Sequence, residues 1–297
     1  MHDKDFTQRF LFEDADVRGE LAQLDQTYQQ VLQRHAYPPA VAVLLGELLA
    51  AAALLVGTLK FDGLLTLQAR SEGPLSLLMV ECSSEREMRA IARYDQAQLG
   101  AEQGFKQLMP NGIMAMTIEP KDGQRYQGLV AFEGETLADS LNAYFANSEQ
   151  LGSHFWLAAD GQQARGFLLQ QLPVDRVPEA DQRQQHWEHV LTLAQTLTKD
   201  ELFALDNATI LHRLYHEENI LLFDPATVCF NCSCSRERSI HALVSLGRED
   251  VEALLKEKQD LIEIDCQFCN ERYLFDGKDV AQIFEQAEQS DQSQTVH

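Results

Sequence analysis

Hydrophobic and polar positions change period several times along the chain, and each change predicts a new element. Phe6–Phe12 and Val17–Gln23 predict strands, and Gln26–Arg34 predicts a helix that stops before Pro38. Ala40–Gly57 carries one charge, Glu47, and predicts a longer helix with no polar face. From Gly63 the period falls to two: Leu65, Leu67 and Ala69 alternate with Thr66, Gln68 and Arg70, as in a half-buried strand. Ser71-Glu72-Gly73-Pro74 predicts a turn before a central strand at Leu75–Glu81. Ile113–Ile118 and Tyr126–Phe132 read as strands joined through Lys121-Asp122-Gly123 into a hairpin. Thr136–Phe145 predicts a helix. Phe155–Ala159 and Gly166–Leu172 predict a last hairpin around Asp160-Gly161.

Beyond Pro173 the character changes. Val174–Gln185 is polar, and residues 186–222 predict short amphipathic helices, with Trp187, Val190, Leu191 and Ala194 on one stripe. Thr198-Lys-Asp-Glu201 is a capping-box pattern, and Asp206 or Asn207 can cap a helix at Ala208–His216. Helices this short are marginal alone and need a surface beneath their apolar faces. From Asp224 onward the pattern predicts a helix from Ser235 to Leu246, stopped at Gly247, and a second at Glu249–Lys258. Short strands at Leu261–Asp265 and Arg272–Phe275 and a closing helix at Lys278–Ala287 follow, and the polar residues Ser290–His297 are expected to fray. The fold class expected is α+β: an N-terminal α/β domain of sheets and covering helices over 1–178, a helical linker over 179–226, and a small C-terminal domain over 227–297.

Composition narrows the function. Apolar residues make up 45% of the 297, enough for a true core. The formal net charge of −22 repels phosphate, so no nucleic-acid partner is expected. Met1-His2-Asp3-Lys4-Asp5 has neither a basic nor an apolar stretch, so no secretory signal is expected. Ala40–Gly57 is nearly long enough to span a bilayer, but its flanks lack aromatic anchors and a basic bias, so a helix buried in a soluble core is expected and no membrane partner.

Five of the six cysteines lie after residue 228. Cys232-Ser-Cys234 and Cys266-Gln-Phe-Cys269 are two close thiol pairs, which suit a tetrahedral Zn²⁺ with four sulfur ligands. Under oxidation each pair can instead close into a disulfide. Cys229-Phe-Asn-Cys232 is also a C-x-x-C, so spacing alone admits Cys229 as an alternative ligand. Ser235 after Cys234, with Arg236, Arg238 and Arg272 nearby in sequence, is expected to favour thiolates. A module this small often needs a staple, and a four-sulfur metal site provides one. His212 and His216 are four apart but lack the Glu that a zincin places after its first His, so they read as a solvated face. Cys82 reads as a small buried hydrophobe. The chain has no P-loop, GxGxxG or GxSxG, and no enzyme activity is expected.

These residues resemble a known family. Cys232-Ser-Cys234-Ser-Arg-Glu-Arg238 with Cys266-Gln-Phe-Cys269 is similar to the redox-regulated heat-shock chaperonins, the 33-kDa class of bacterial heat-shock protein. So are Arg213-Leu-Tyr-His-Glu-Glu218, Phe223-Asp-Pro225, Leu59-Lys-Phe-Asp-Gly63, Arg125-Tyr-Gln-Gly128 and the stretch from Tyr144-Phe145 to Ser148-Glu-Gln-Leu151. The resemblance implies a cytoplasmic, ATP-independent holdase, silent when reduced with one Zn²⁺ per chain and active when oxidised. It implies Cys232, Cys234, Cys266 and Cys269 as ligands, Cys232–Cys234 and Cys266–Cys269 as the disulfides, unfolding proteins as clients, and a homodimer as the active form. Cys229 lies outside that motif. Two other readings compete: a thiol–disulfide oxidoreductase using Cys266 and Cys269, and a constitutive zinc-ribbon binding adaptor.

Overall fold

Two-residue alternation in the first two-thirds of the chain is realised as two six-stranded sheets with a buried helix between them. The structure, a computed structural model, describes residues 5–59, 61–100, 103–148 and 152–294, without the side chains of 147–148 and 288–294. Lys60, Ala101, Glu102, Glu149–Leu151, the residues before Asp5 and those after Gln294 lie outside the description, including parts of the motifs and tail considered above. The chain divides into two units, Met1–Asn231 and Cys232–His297.

The first unit contains β1 (Phe6–Phe12), β2 (Val17–Leu24), α1 (Gln26–Arg34), α2 (Pro39–Thr58), β3 (Gly63–Arg70), β4 (Leu75–Ser83), β5 (Glu87–Tyr94) and α3 (Phe105–Leu108). It continues with β6 (Ile113–Pro120), β7 (Tyr126–Ala131), α4 (Leu137–Ser148), β8 (Ser153–Ala159), β9 (Ala164–Gln171), α5 (Ala180–Ala194), α6 (Lys199–Ala204) and α7 (Asn207–Tyr215). Three short strands end it: β10 (Ile220–Leu222), β11 (Ala226–Thr227) and β12 (Cys229–Phe230). One sheet runs β10-β1-β2-β9-β8 with β11 also on β1; the other runs β12-β5-β4-β3-β6-β7.

Helix α2 starts at Pro39, where a missing N–H costs nothing, and is buried along nearly all its length between the two sheets. It is long and apolar enough to cross a membrane, yet here it is a core helix. Helix α1 has no cap from its own N-terminal residue; Asp5 accepts the backbone N–H groups of Asp25, Gln26 and Thr27 instead.

The first sheet is covered on both faces. Phe155, Leu157 and Leu168 point to the α2 core, whereas Phe10, Phe12, Leu21, Phe167 and Leu169 point the other way. On that second face Phe10 and Phe167 stack with centroids 5.8 Å apart. Phe10 lies across Gly19, where a Cβ would fall 2.0 Å from the ring, so only glycine permits this packing. Over the aromatic face sit α5, α6 and α7, which bury Trp187, Val190, Ile210, Leu211, Leu214 and Tyr215. This is the partner surface that short amphipathic helices require. The capping box between Thr198 and Glu201 is present, and Asp206 caps α7 through the Thr209 N–H.

Several features were not expected from pattern, among them the short helix α3 and the start of α5 at Ala180, inside the stretch read as a polar boundary. The strand β5 alternates Met88, Ala90 and Ala92 inward with Arg89 and Arg93 outward, and its charges mask its period; Arg89 is paired with Glu81 at 2.6 Å. The helical segment expected to run to 222 ends earlier, at Tyr215, and residues 220–230 run instead along sheet edges: Leu222 pairs with Phe10, Thr227 with Phe6, and Cys229 with Glu87. Strands of two or three residues carry almost no local signal, because their stability comes from the edge they pair with.

The second unit has α8 (Arg236–Leu246), α9 (Arg248–Glu257), β13 (Leu261–Asp265), β14 (Arg272–Asp276) and α10 (Gly277–Gln294). β13 and β14 form a two-stranded antiparallel hairpin. Its buried apolar core is Leu243, Val251, Ile262, Phe275, Val280, Ile283 and Phe284. Helix α10 runs through Gln294, past the point where fraying was expected.

Candidate metal and redox centre

Four cysteines converge at one end of the second unit. Ser235 caps α8 by accepting the Arg238 N–H at 3.2 Å, which fixes Cys232 and Cys234 just ahead of the helix. Cys266 and Cys269 sit in the tight turn joining β13 to β14, where Cys266 N donates to Glu271 O at 2.9 Å and Asn270 N to Cys266 O at 2.8 Å. Asn270 takes the left-handed conformation, φ 60°, which Asn tolerates better than most residues and which closes the knuckle.

The sulfur atoms of Cys232, Cys234, Cys266 and Cys269 all lie within 4.8 Å of one another. Cys232 Sγ is 3.7 Å from Cys266 Sγ, and Cys234 Sγ is 3.3 Å from Cys269 Sγ. Metal–sulfur bonds of about 2.3 Å in a tetrahedron put sulfurs about 3.8 Å apart. The donor set and its spacing therefore fit one tetrahedral cation. Burial pushes the Cys234 thiol up, with the Tyr273 hydroxyl, 3.3 Å from its sulfur, pulling the other way. Burial and the neighbouring thiols push Cys269 up. Ionised sulfurs this close repel one another, and a divalent cation offsets that repulsion.

The three arginines have other partners. Arg236 donates to Leu274 O at 2.7 Å, pairs with Asp279 at 3.0 Å, and lies over the Phe275 ring at 4.3 Å. Arg272 grips Asp265 with two hydrogen bonds and reaches Glu263 at 3.3 Å. Arg238 bonds the Ser233 hydroxyl at 2.7 Å, bracing the loop between the first two cysteines. Their role is to hold the frame of the site. The Tyr273 contact has no sequence signal, since it depends on the hairpin register opposite Ile264.

Cys229 is not one of the four. It lies exposed in β12, its N–H donating to Arg86 O at 3.1 Å, and its thiol is pushed up by partial burial and by Glu87 and Asp5. Cys82 is fully buried in β4, and burial pushes its thiol up to about 12, as befits an inert core residue. His212, on α7, and His216, just past its C-terminal end, lie with ring centroids 6.2 Å apart.

A family model described as "Hsp33 protein" matches residues 5–276. A "33 kDa chaperonin" of Ectopseudomonas mendocina is 63% identical over 293 residues, 99% of each chain. A "33 kDa chaperonin" of Pseudomonas aeruginosa is 59% identical over 297 residues, the whole of both chains. The crystal structure of a 33 kDa chaperonin from Thermotoga maritima aligns with 96% of this chain and 99% of its own, with a TM-score of 0.79 at 22% identity; that likeness is one of fold.

Proposed function

The chain belongs to the Hsp33 family, and from that premise we propose that it is a redox-regulated, ATP-independent holdase for unfolding proteins, with Cys232, Cys234, Cys266 and Cys269 as its switch. The observation that carries this reading is the four-sulfur cluster closing a unit with a small core. The thiolate set suits Zn²⁺, one per chain, in the reduced protein. Structural zinc contributes on the order of 10–16 kcal/mol in small fingers, more than the net stability of most domains.

Oxidation by hydrogen peroxide converts two thiols into one disulfide and reduces the peroxide to two waters; two such reactions remove all four ligands. The closures proposed are Cys232–Cys234 and Cys266–Cys269. In the folded cluster the short sulfur contacts run across the pairs, but once the unit loosens, the smallest loops close first. The segment leading into Cys232 is held by short strands, through Val228 N to Asp5 O at 3.0 Å and Asn231 N to Met88 O at 3.0 Å. Collapse of the second unit frees the end of this zipper. Residues 179–226 then act as a metastable linker between a 1–178 chaperone domain and a 227–297 switch domain. Its release exposes Trp187, Val190, Leu191, Leu205, Leu211 and Leu214, together with the aromatic face beneath.

The protein works, on this reading, in the cytoplasm, as a homodimer when oxidised, without catalytic turnover and without nucleic-acid or membrane partners. A Cys266–Cys269 oxidoreductase fits less well, because such enzymes place the pair at a helix start and this pair lies in a hairpin turn. Zinc content and free thiols before and after peroxide, measured beside a light-scattering aggregation assay, test the proposal. Zinc loss, thiol loss and client protection should rise together. Oxidant-dependent protection persisting when all four cysteines are replaced by serine would overturn it.

A further inference from the structure

Glu47, the single charge of α2, is buried at the edge of a cavity of about 340 Å³ walled by α2, α4, β8 and the start of α6. Among the described residues nothing donates a hydrogen bond to its carboxylate, and its counter-charge is Lys199 Nζ at 3.8 Å, on the first residue of α6. The other titratable groups around it are Tyr28 on α1, Asp139 on α4 and His154 on β8. Tyr28 is committed, its hydroxyl donating to Ala42 O at 2.6 Å. Asp139 accepts the Glu135 and Thr136 N–H groups. His154 lies against Trp156, ring centroids 4.4 Å apart.

The two halves of the Glu47–Lys199 pair sit on segments with different fates. Glu47 is part of the core helix, whereas Lys199 belongs to the segment that covers the aromatic face. We propose that Glu47 and Lys199 form a proton-sensitive latch, in which the ionisation of one buried carboxylate sets how firmly α6, and with it α5 and α7, stays docked. The proposal deepens the reading of α5–α7 as the releasable segment and rests on that reading for its biological consequence.

Leu197, Thr198, Lys199 and Leu202 form one wall of the cavity, so undocking α6 opens Glu47 to water. Burial lifts the docked carboxyl from 4.5 to about 7, Lys199 pulling against that rise. A carboxyl with a higher pKa when docked binds its proton more tightly there. Docking is therefore firmest at low pH, loosens as pH rises from 4.5 to about 7, and changes little above. His154 works in the opposite sense: burial lowers its pKa, so its protonation in acid favours the open form.

The test is hydrogen exchange of the α5–α7 amides in the full-length reduced, zinc-loaded protein at pH 6 and pH 8, corrected for intrinsic exchange. It needs no chaperone readout, so it stands or falls apart from the proposed function. In the unmodified protein, protection should fall by up to about tenfold between the two pH values. Glu47→Gln should abolish that fall and leave only the opposing trend of His154. Lys199→Met, at a side chain 71% exposed, should fold normally and lose protection at pH 8 by roughly a few-fold with little change at pH 6. A Glu47→Gln profile that matches the unmodified protein, or Lys199→Met as protected at pH 8 as the unmodified protein, overturns the latch. Should Glu47→Gln not fold, the lysine variant decides alone.

Discussion

Tyr215 offers the sharpest test of whether docking of α5–α7 controls the exposed surface. Its ring is buried and packs edge-on against Phe12 with centroids 4.9 Å apart, with Phe10 at 6.4 Å. Its hydroxyl donates to Val190 O at 3.1 Å, tying α7 to α5. Tyr215→Ala removes the ring and leaves a void above Phe10 and Phe12. Truncating a buried aromatic to alanine costs about 3–5 kcal/mol, and this cost falls on the docked state, where the ring is packed. Tyr215→Phe keeps the ring and loses one hydrogen bond, worth about 1 kcal/mol. The two variants should thus differ by at least about 2 kcal/mol, close to 30-fold in the docking equilibrium. The assays are hydrogen exchange across 180–215 and suppression of client light scattering by reduced protein. Tyr215→Ala should capture clients at peroxide doses or temperatures where the unmodified protein is silent, and Tyr215→Phe should stay close to the unmodified protein. If Tyr215→Ala loses protection across α5–α7 yet captures no more client, the buried face is not the client-binding surface. If protection does not fall, the packing argument itself is wrong.

Chelation of the reduced protein should unfold α8–α10 while the first unit keeps its exchange protection; retained protection in metal-free protein would show that the core of Leu243, Val251 and Phe275 suffices. Cys234→Ser should lower zinc affinity and raise client binding without oxidant, checked by metal content and light scattering. Phe275→Ala removes a fully buried ring under Arg236, so it should cost the second unit about 3–5 kcal/mol and lower the peroxide dose that releases zinc. Asp16 is partly desolvated, which raises its carboxyl, but N–H donors from Arg176, Val177 and Asp175 outweigh that and hold it below 3.8. Its stabilising effect is therefore complete above 3.8 and is lost as pH falls through the lower folded value. Asp16→Asn should cost about 1–3 kcal/mol at neutral pH, and the gap to the unmodified protein should close in acid unfolding titrations.

What could be read without coordinates is what depends on short spacing. The thiol pairs flank a helix cap and a hairpin turn, and both are local: Ser235 caps α8, and Cys266 to Cys269 close the β13–β14 turn. The unbroken apolar run of α2, the alternation of β3 and the Thr198–Glu201 capping box are equally local, and each appears where its pattern predicted. Other features needed the tertiary structure. Nothing near Tyr215 says that its ring packs on Phe10 and Phe12, nearly the length of the unit away in sequence. The edge pairing of residues 219–231, the hydroxyl of Tyr273 against Cys234 and the approach of Lys199 to Glu47 likewise join segments that no period or motif connects. The physical reason is range: periodicity and capping report on a few neighbouring residues, whereas burial, edge pairing and the shift of a buried carboxyl are set by whichever distant segment closes over it.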